Sequence, residues 1–581
     1  MERARTAGER DPAGGGWVTW VVVAVLLALC LLEGLQSIAG LDRPPDMDSL
    51  RDVGFIQGFL DGNWLGDPMY AGEYRWYPPL FPALGALAVW ITGIPAMRLW
   101  LELAPWINLL APLTFFLMNR RLIGAPAAAV ATAVFVLFNG AFTLPFIEAS
   151  YTPWPLVPDF SLFLFFLGVG LIHRHGGSTR FGDAAGIGTL LGITFLAHTV
   201  PAILLSAIVT VNAFALSGIR PRVILWLAVV ALVELAWGAI FLLPLFLRYH
   251  LHIANPAPGA WLDDLMEPQQ LLRMVALNVP GILALTGAFL LRHRAPMGRS
   301  TAVILGTWIG ICLLFLVRHE ACAIADAHNA VCDTFVIAVN HYHFYLAAAW
   351  ASVMGYVLWE GALWWMEISS SGAISQPRAA LVALAAVAAL GVGTFYFLFR
   401  PASLDERELA RVDGKSIEEL DTYPYRWIRN TMRPAFEVRM RLWARMDEKY
   451  FDGEAYRWIL ANTAPGDLFV TDVVKDWEEP QAFAVMAAAR RMVATPELHS
   501  NPYVTWTDRD ARRRRYIAAA LAPTPATSHA LCDFAGEAGP DDHAYFLLPN
   551  SDTVESPALA RVFHGDWSSI YRVDPERCAA G

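Results

Sequence analysis

Long apolar stretches separated by short polar joints dominate the first 400 residues of the chain. The first stretch, Trp17–Ile38, is about the length needed to cross the hydrocarbon core of a bilayer. The stretches that follow are Tyr77–Ile91, Leu99–Met118, Ala125–Leu144, Phe160–Leu171, Ala184–Leu196, Ala202–Leu216, Val223–Leu247, Leu271–Leu291, Ala302–Leu316, Tyr342–Trp365 and Leu381–Phe399. This pattern predicts a polytopic α-helical membrane protein with about 11 to 13 spans.

The distribution of arginines predicts the sidedness of these spans. Arg3, Arg5 and Arg10 precede the first stretch, so the positive-inside rule places the N-terminus in the cytoplasm. The first stretch is longer than the apolar core of a typical signal peptide, and no clear small-residue cleavage site follows it, which favours an anchor over a cleaved signal. The polar segment 41–76, here called the acidic segment, is then extracytoplasmic.

One joint does not fit this topology. Two apolar runs, Tyr77–Ile91 and Leu99–Met118, separate the acidic segment from the pair Arg120–Arg121. A passage from an outer segment to an inner arginine pair needs an odd number of crossings. Either Tyr77–Ile91 is re-entrant or the arginine pair lies outside, and the sequence leaves both open.

A change of composition at residue 400 divides the chain into a membrane domain, 1–400, and a C-terminal domain, 401–581. All three lysines lie in the second part, where charge is dense. Short β-like runs, Leu468–Val470 and Tyr545–Leu548, alternate with helical patterns at Pro480–Arg490 and Asp508–Ala520. We expect an extracytoplasmic α/β domain. Within it, the run Arg512–Arg515 is more typical of a solvated helix face than of a phosphate-binding patch.

The overall composition excludes several classes of protein. Of the 581 residues, 56% are hydrophobic and 17% are charged, against about 25% charged in soluble domains. Disordered and collagen-like chains are excluded by the same numbers. The formal net charge of −10 does not favour a nucleic-acid partner, because phosphates need a basic surface.

The six cysteines give a second indication of sidedness. Cys30 and Cys312 fall inside apolar stretches and are expected to be packing residues. The other four form two pairs in predicted external segments, for which we predict the bridges 322–332 and 532–578. Zinc binding near Cys322 and Cys332 is a weaker alternative, because their spacing does not match the usual closely spaced ligand pairs.

The acidic segment carries the candidate chemistry. Transfer of a sugar to a hydroxyl needs a carboxylate that takes the acceptor proton, and Asp46 or Asp48, just outside the membrane, could do this. One of the pair could instead hold a divalent cation, and a hydrated loop carboxylate without function is the third interpretation. The candidate substrate-binding residues in and beyond this segment are Glu73, Arg75, Tyr77, Glu148 and Asp159.

A second polar feature lies at the predicted outer mouth of a late span. The sequence Asn340-His341-Tyr342-His343 brings two histidines to a helix start. His341 and His343 could donate hydrogen bonds to a phosphate there, with help from the helix dipole. The alternative is an interfacial aromatic belt in which the histidines are incidental.

The order of these features resembles that of the integral-membrane glycosyltransferases of the GT-C superfamily. A first span, an acidic outer loop and the turn Tyr77-Pro78-Pro79-Leu80 carry this resemblance. Together with this turn, the segments Asp61-Gly62 and Asp67-Pro68-Met69-Tyr70 are similar to segments of actinobacterial arabinofuranosyltransferases, which build cell-wall arabinogalactan. The segment Ser500-Asn501-Pro502-Tyr503 adds to this similarity.

The resemblance implies an inverting transferase of the bacterial plasma membrane. Its donor would be a polyprenyl-phosphate sugar, for which the arabinofuranosyltransferase similarity implies arabinofuranose, and its acceptor a cell-envelope glycan or lipid on the extracytoplasmic face. Asp46 or Asp48 would be the base, and His341 or His343 the contact to the lipid phosphate, a position where relatives often have arginine. The alternatives are a transporter or flippase of lipid-linked glycans and a non-catalytic glycan-binding membrane scaffold.

Overall fold

The computed structural model describes residues 16–38, 41–44, 47–142, 157–175, 177–178, 180–255, 281–324, 340–369, 451–472, 480–523 and 528–579. The chain divides into two compact units. Unit 1 comprises Met1–Ala39, Leu103–Ala239 and Gly259–Arg439. Unit 2 comprises Gly40–Glu102, Ile240–Pro258 and Met440–Gly581, so it contains both the acidic segment and the C-terminal domain.

The described part of the chain before residue 370 is mostly helical. Its helices are α1 (Gly16–Ile38), α2 (Met47–Leu60), α3 (Leu80–Thr92), α4 (Ala96–Asn108), α5 (Leu110–Ile123), α6 (Ala125–Phe142), α7 (Val157–His175), α8 (Phe181–Ala197), α9 (Thr199–Ser217), α10 (Pro221–Tyr249), α11 (Gly281–Leu291), α12 (Arg299–Ile324) and α13 (Asn340–Ser369). Among the described residues, 5 helical stretches are long and apolar enough to cross a membrane, and shorter apolar helices accompany them. The prediction of a polytopic helical membrane protein is confirmed.

The stretch between residues 77 and 123 contains one such helical stretch. Helices α4 and α5 together form the apolar stretch Ala96–Ile123, which is 28 residues long. Helix α3 has 13 residues and therefore rises about 20 Å, less than the roughly 30 Å of a hydrocarbon core. By length, one crossing rather than two separates the acidic segment from Arg120. This favours the re-entrant interpretation of Tyr77–Ile91.

Aromatic rings and small residues hold the helices of unit 1 together. The rings of Phe115 and Phe135 stack with centroids 4.2 Å apart, and both pack edge-on against Phe166. Gly355 of α13 lies directly against Ala131 of α6. Small residues at such crossings let helix backbones approach closely, which is how helices associate in lipid.

The C-terminal domain is built on a five-stranded mixed sheet. Its strands are β1 (Leu468–Thr471), β2 (Arg491–Met492), β3 (Ala544–Pro549), β4 (Leu559–His564) and β5 (Ser568–Val573), in the order β2-β1-β3-β5-β4. Strand β1 pairs in parallel with β2 and β3, and β5 pairs antiparallel with β3 and β4. Its helices are α14 (Gly453–Asn462), α15 (Pro480–Ala487), α16 (Trp506–Leu521), α17 (Ser528–Ala538) and α18 (Pro575–Ala579). The predicted α/β character is confirmed.

The arginine run on α16 is paired with carboxylates. Arg513 is fully buried and donates to Asp510 at 2.7 Å, so a solvated face was the wrong expectation for this residue. Arg514 is largely exposed and also binds Asp510. Arg512 and Arg515 bind carboxylates of α17. The run therefore forms ion pairs between two helices rather than a phosphate-binding patch.

The cysteine predictions are tested in part. Cys30 and Cys312 are buried, as expected for packing residues. Cys532 is disulfide-bonded, as predicted for this cysteine. The side chains of Cys322, Cys332 and Cys578 lie outside the described residues, so both predicted pairings remain predictions.

Helix α2 of the acidic segment packs directly on the C-terminal domain within unit 2. A Cβ at Gly54 would overlap the carbonyl oxygen of Met486 at the end of α15. The Met492 amide donates to the Met69 carbonyl at 2.7 Å. The buried Arg490 guanidinium binds Asp61 at 3.1 Å. Backbone contact and charge pairing therefore fix the acidic segment against the sheet.

We expect Gly54→Ala to destabilise the protein strongly. The added methyl would collide with backbone, which cannot rotate away as a side chain can, so α2 must separate from α15 at a cost of about 1–3 kcal/mol or more. Gly306→Ala is the matched control, because this helical glycine has no neighbour within 4 Å of an added Cβ. Thermal unfolding in detergent measures both, and an unchanged midpoint for Gly54→Ala would contradict the close approach.

Candidate active site

The first turn of α2 presents the candidate base. Helix α2 begins at Met47, and Asp48 lies in its first turn, where the helix dipole stabilises a carboxylate. The Asp48 side chain is 55% exposed and is therefore accessible to a substrate. Asp46, the other candidate, lies outside the described residues.

A buried arginine holds the Asp48 carboxylate. Arg51 Nη1 donates to Asp48 Oδ1 at 2.8 Å. Its Nε and Nη2 donate to Asp52 Oδ1 at 3.1 and 2.9 Å. Burial alone would lower the pKa of Arg51, but Asp52 and Asp48 more than offset it and the pKa is raised. A permanent cation therefore lies directly behind the exposed carboxylate.

The aromatic ring of Tyr77 packs against the guanidinium of this arginine. The Arg51 guanidinium lies 4.1 Å from the centre of the Tyr77 ring, a cation–π contact. The Tyr77 ring in turn stacks on Phe55 at an interplanar angle of 6°. Burial raises the pKa of the Tyr77 phenol, so it stays protonated. The predicted contact of Tyr77 with substrate remains a prediction.

A histidine from the C-terminal domain faces the same carboxylate. His499 ends a 3₁₀ turn, Glu497–His499, and its Nδ1 lies 3.6 Å from Asp48 Oδ1. Its ring packs edge-on against Phe483. Burial lowers the pKa of His499 to about 4, although Asp48 acts in the opposite direction. The imidazole is therefore neutral at pH 7.

Glu73 and Arg75 lie farther along the acidic segment and are engaged inside unit 2. Glu73 accepts from the Tyr249 hydroxyl at 2.7 Å and lies 3.6 Å from Arg509. The buried Arg75 guanidinium lies 3.8 Å from the Phe59 ring centre. Burial lowers the pKa of Arg75 to about 10, so it stays charged at pH 7. A substrate contact by either residue remains a prediction.

Two of the segments that carry the arabinofuranosyltransferase resemblance, Asp67–Tyr70 and Ser500–Tyr503, bind each other. Asn501 Nδ2 donates to Asp67 Oδ2 at 3.0 Å. The Tyr70 hydroxyl lies 3.0 Å from both Thr495 Oγ1 and Ser500 Oγ. Burial raises the pKa of Asp67 to about 6, although the Asn501 amide and the backbone N–H groups of Met69 and Tyr70 act in the opposite direction. The motifs therefore form a buried polar junction between the acidic segment and the C-terminal domain.

A cavity of about 350 Å³ opens beside this junction. Its polar lining includes Asp61, Asn63, Asp67, Glu73 and Arg491. Asp61 ends the helical turn after α2, at the opposite end from Asp48, so the cavity and the candidate base lie about 20 Å apart along a 14-residue helix.

The remaining predicted site residues cannot be placed as side chains. Glu148 lies outside the described residues. Asp159 belongs to α7, and His341 and His343 belong to the described start of α13, but their side chains are not described. Substrate contacts by these four residues remain predictions.

The divalent-cation alternative finds no ligand cluster in the described ranges. No group of three or more His, Cys, Asp or Glu side chains there could hold a metal ion. The described candidate, Asp48, faces a guanidinium, which occupies the position of a neighbouring cation. The described residues therefore do not fit a metal centre at Asp48.

Sequence reasoning missed Arg51 and His499. The i, i+3 spacing of Asp48 and Arg51 is a visible signal for an ion pair on one helix face. His499 gave no such signal, because its partner lies more than 400 residues away in sequence. It directly precedes the Ser500–Tyr503 segment that the resemblance singles out.

Comparison with known proteins identifies the fold. No family model matches the chain, and no curated protein matches it. The crystal structure of ArnT from Cupriavidus metallidurans bound to undecaprenyl phosphate matches with a TM-score of 0.51 at 11% identity, covering 96% of this chain and 98% of that one. The Archaeoglobus fulgidus oligosaccharyltransferase, solved with a tethered acceptor peptide, matches with a TM-score of 0.50 at 13% identity, covering 91% and 69%. The chain therefore shares its fold with these two structures, as the resemblance of its sequence pattern implied.

The buried histidine makes the stability of the protein depend on pH. His499 has a pKa of about 4 when folded and 6.5 ordinarily, so between these values the unfolded chain binds the proton more readily and stability falls as pH falls. We expect His499→Asn to flatten this decline between pH 6.5 and 4.5, measured by thermal unfolding in detergent. His543→Asn, which removes a half-exposed histidine, should leave the slope unchanged. Parallel slopes for wild type and His499→Asn would show that His499 is not buried as described.

Proposed function

We propose that the protein is a membrane glycosyltransferase that moves a sugar from a polyprenyl-phosphate donor to a cell-envelope glycan or lipid acceptor. The observation that carries this proposal is the exposed Asp48 carboxylate, ion-paired to the buried Arg51, in a chain with the GT-C fold. Arabinofuranose is the first sugar to test, because the junction motifs resemble those of arabinofuranosyltransferases.

The proposed reaction is a single displacement at the anomeric carbon. An acceptor hydroxyl gives its proton to the Asp48 or Asp46 carboxylate while its oxygen forms the new glycosidic bond. The bond from the anomeric carbon to the phosphate oxygen breaks, and the lipid phosphate leaves with the electron pair. This sequence inverts the configuration of the anomeric carbon.

The environment of Asp48 suits both stages of this proton transfer. Arg51 pairs with the carboxylate at 2.8 Å, and a neighbouring cation favours the charged form that a base needs before reaction. Substrates that cover the exposed carboxylate would remove water from it and raise its affinity for the proton. General base catalysis of this kind contributes about 10²–10⁴-fold to a rate.

The donor class is supported by fold and by sequence. The ArnT structure, which matches 96% of this chain, contains undecaprenyl phosphate. In this chain His341 and His343 lie in the first turn described for α13, where helix amides and imidazoles can bind an anion. We assign these two histidines to the lipid phosphate.

An extracytoplasmic active site is supported by two features. A single crossing by length, Ala96–Ile123, connects the acidic segment to the pair Arg120–Arg121, which agrees with the positive-inside rule. Cys532 in the C-terminal domain is disulfide-bonded, which suits an oxidising compartment. Both features favour the outer face of the bacterial plasma membrane for the acidic segment and the C-terminal domain.

We expect Asp48→Asn to reduce sugar transfer by about 10²–10⁴-fold, because the amide cannot take the acceptor proton. Purified protein in proteoliposomes is assayed with polyprenyl-phosphate arabinofuranose and a short arabinogalactan acceptor, then with other polyprenyl-phosphate sugars. Asp46→Asn and the double variant are assayed alongside.

Asp42→Asn is the matched control, because Asp42 is 75% exposed and binds only its neighbour Arg43 among the contacts described for it. It should transfer sugar at the wild-type rate. Wild-type turnover by all three Asp46 and Asp48 variants would contradict a loop aspartate as base. Uptake of lipid-linked sugar without a glycosidic product would instead support the transporter alternative.

We expect His341→Ala and His343→Ala to raise KM for the donor by about tenfold with a smaller effect on kcat, because each removes a hydrogen bond to a charged phosphate. His293→Ala, at an exposed position between helices, is the control and should leave KM unchanged. Donor titration at saturating acceptor measures the effect. An unchanged KM in both variants and in the double variant would exclude these histidines from the phosphate site.

A further inference from the structure

His499 is a buried titratable group that the proposed reaction does not yet use. Its side chain is 6% exposed, and its Nδ1 faces the Asp48 carboxylate at 3.6 Å. Neither ring nitrogen has a hydrogen-bond partner among the described residues. Buried polar groups in proteins are nearly always hydrogen-bonded, so this imidazole calls for a physical explanation.

The geometry around Asp48 explains why a histidine is held there. The distance of 3.6 Å exceeds a hydrogen bond by about 0.5 Å, so a small movement of the exposed Asp48 side chain would complete one. A carboxylate can only accept a hydrogen bond. To donate one to Asp48, His499 must be in the tautomer that carries its proton on Nδ1. Arg51 already donates to the same oxygen, Asp48 Oδ1.

We infer that His499 is a positioning residue for Asp48, donating from Nδ1 to the carboxylate and fixing its orientation when substrates occupy the site. This inference rests on the proposed function, in which Asp48 is the base. Arg51 and His499 then hold the carboxylate from two directions, so the acceptor hydroxyl meets a lone pair in one fixed geometry. Orientation of reacting groups is a major source of catalytic rate.

The neutral state of His499 suits this positioning. Burial keeps the imidazole uncharged at pH 7. A neutral donor can orient the carboxylate without adding a second positive charge beside Arg51, which would weaken Asp48 further as a base. The fixed position of the ring comes from its edge-on contact with Phe483 of α15.

The inference gives the C-terminal domain a part in the chemistry. His499 lies on the segment between β2 and α16, directly before the Ser500–Tyr503 motif that binds the acidic segment. The Asp67–Asn501 hydrogen bond therefore holds the segment that carries His499 in register with α2. The domain thus supplies a group to the candidate site as well as bracing it.

The test compares two variants of His499 in the full chain. His499→Leu removes the donor, and His499→Asn keeps an amide nitrogen close to the position of Nδ1. Steady-state rates are measured in proteoliposomes with the polyprenyl-phosphate sugar on which wild type turns over. We expect His499→Leu to lower kcat by about 10–100-fold at unchanged KM, because one hydrogen bond to a charged group is lost. His499→Asn should recover most of this loss.

Controls separate positioning from packing and from failure of the proposed function. His543→Leu should keep the wild-type kcat, since this histidine contacts Asp467 far along the chain from Asp48. If His499→Leu does not fold, His499→Gln replaces it, because its amide reaches the Nε2 position instead and should not rescue.

Two results would overturn the inference. One is a wild-type kcat in His499→Leu while Asp48→Asn is inactive. That result would exclude a positioning role for His499 and leave Asp48 as the base. The other is equal loss in the Asn variant and in the variants without a donor at Nδ1, at equal thermal stability, which reduces His499 to a packing residue. Full activity of Asp48→Asn would instead remove the proposed base, and this inference with it.

Discussion

The buried guanidinium of Arg51 is the interaction on which the candidate site depends. A charge taken out of water is costly unless partners surround it. Here Asp48 and Asp52 supply the compensating charge, and the ring of Tyr77 covers one face. One residue thus fixes the first turn of α2, pairs with the exposed carboxylate, and connects it to the Tyr77-Pro78-Pro79-Leu80 turn.

Buried polar contacts give unit 2 its specific arrangement. The Asp67–Asn501 bond, the Tyr70 hydroxyl network and the Asp61–Arg490 pair all connect the acidic segment to the C-terminal domain. Apolar surfaces can slide against one another, but each of these contacts has one satisfied geometry, and a buried polar group left unpaired is costly. This directional junction holds Asp48 and His499 within 3.6 Å.

Much of the fold follows from local patterns in the sequence. The apolar run Trp17–Ile38 predicted α1 within one residue, and the β-like runs at 468 and 545 became β1 and β3. The parity problem before Arg120 came from two apolar runs, of which α3 is too short to cross. The length of α3 decides the number of crossings. It is known only from the structure, in which Pro79 and Gly93 bound the helix.

The candidate site was only half predictable, for a physical reason. Asp48 was identifiable because a carboxylate beside a membrane run is unusual. His499 and Asn501 act through contacts between segments far apart in sequence, and such tertiary contacts leave no periodicity to read. Arg513 shows the same effect, since one member of an exposed-looking arginine run is fully buried by tertiary structure.

The junction between distant segments has a consequence for biosynthesis. Asp67 and Asn501 are 434 positions apart, so the early segment leaves the ribosome long before its partner exists. Until residue 501 has emerged and folded, the carboxylate and the amide of this pair must stay hydrated or bind other groups. A prematurely terminated chain would insert its helices but could not form the junction. This part of the protein therefore assembles only after the C-terminal domain has been synthesised.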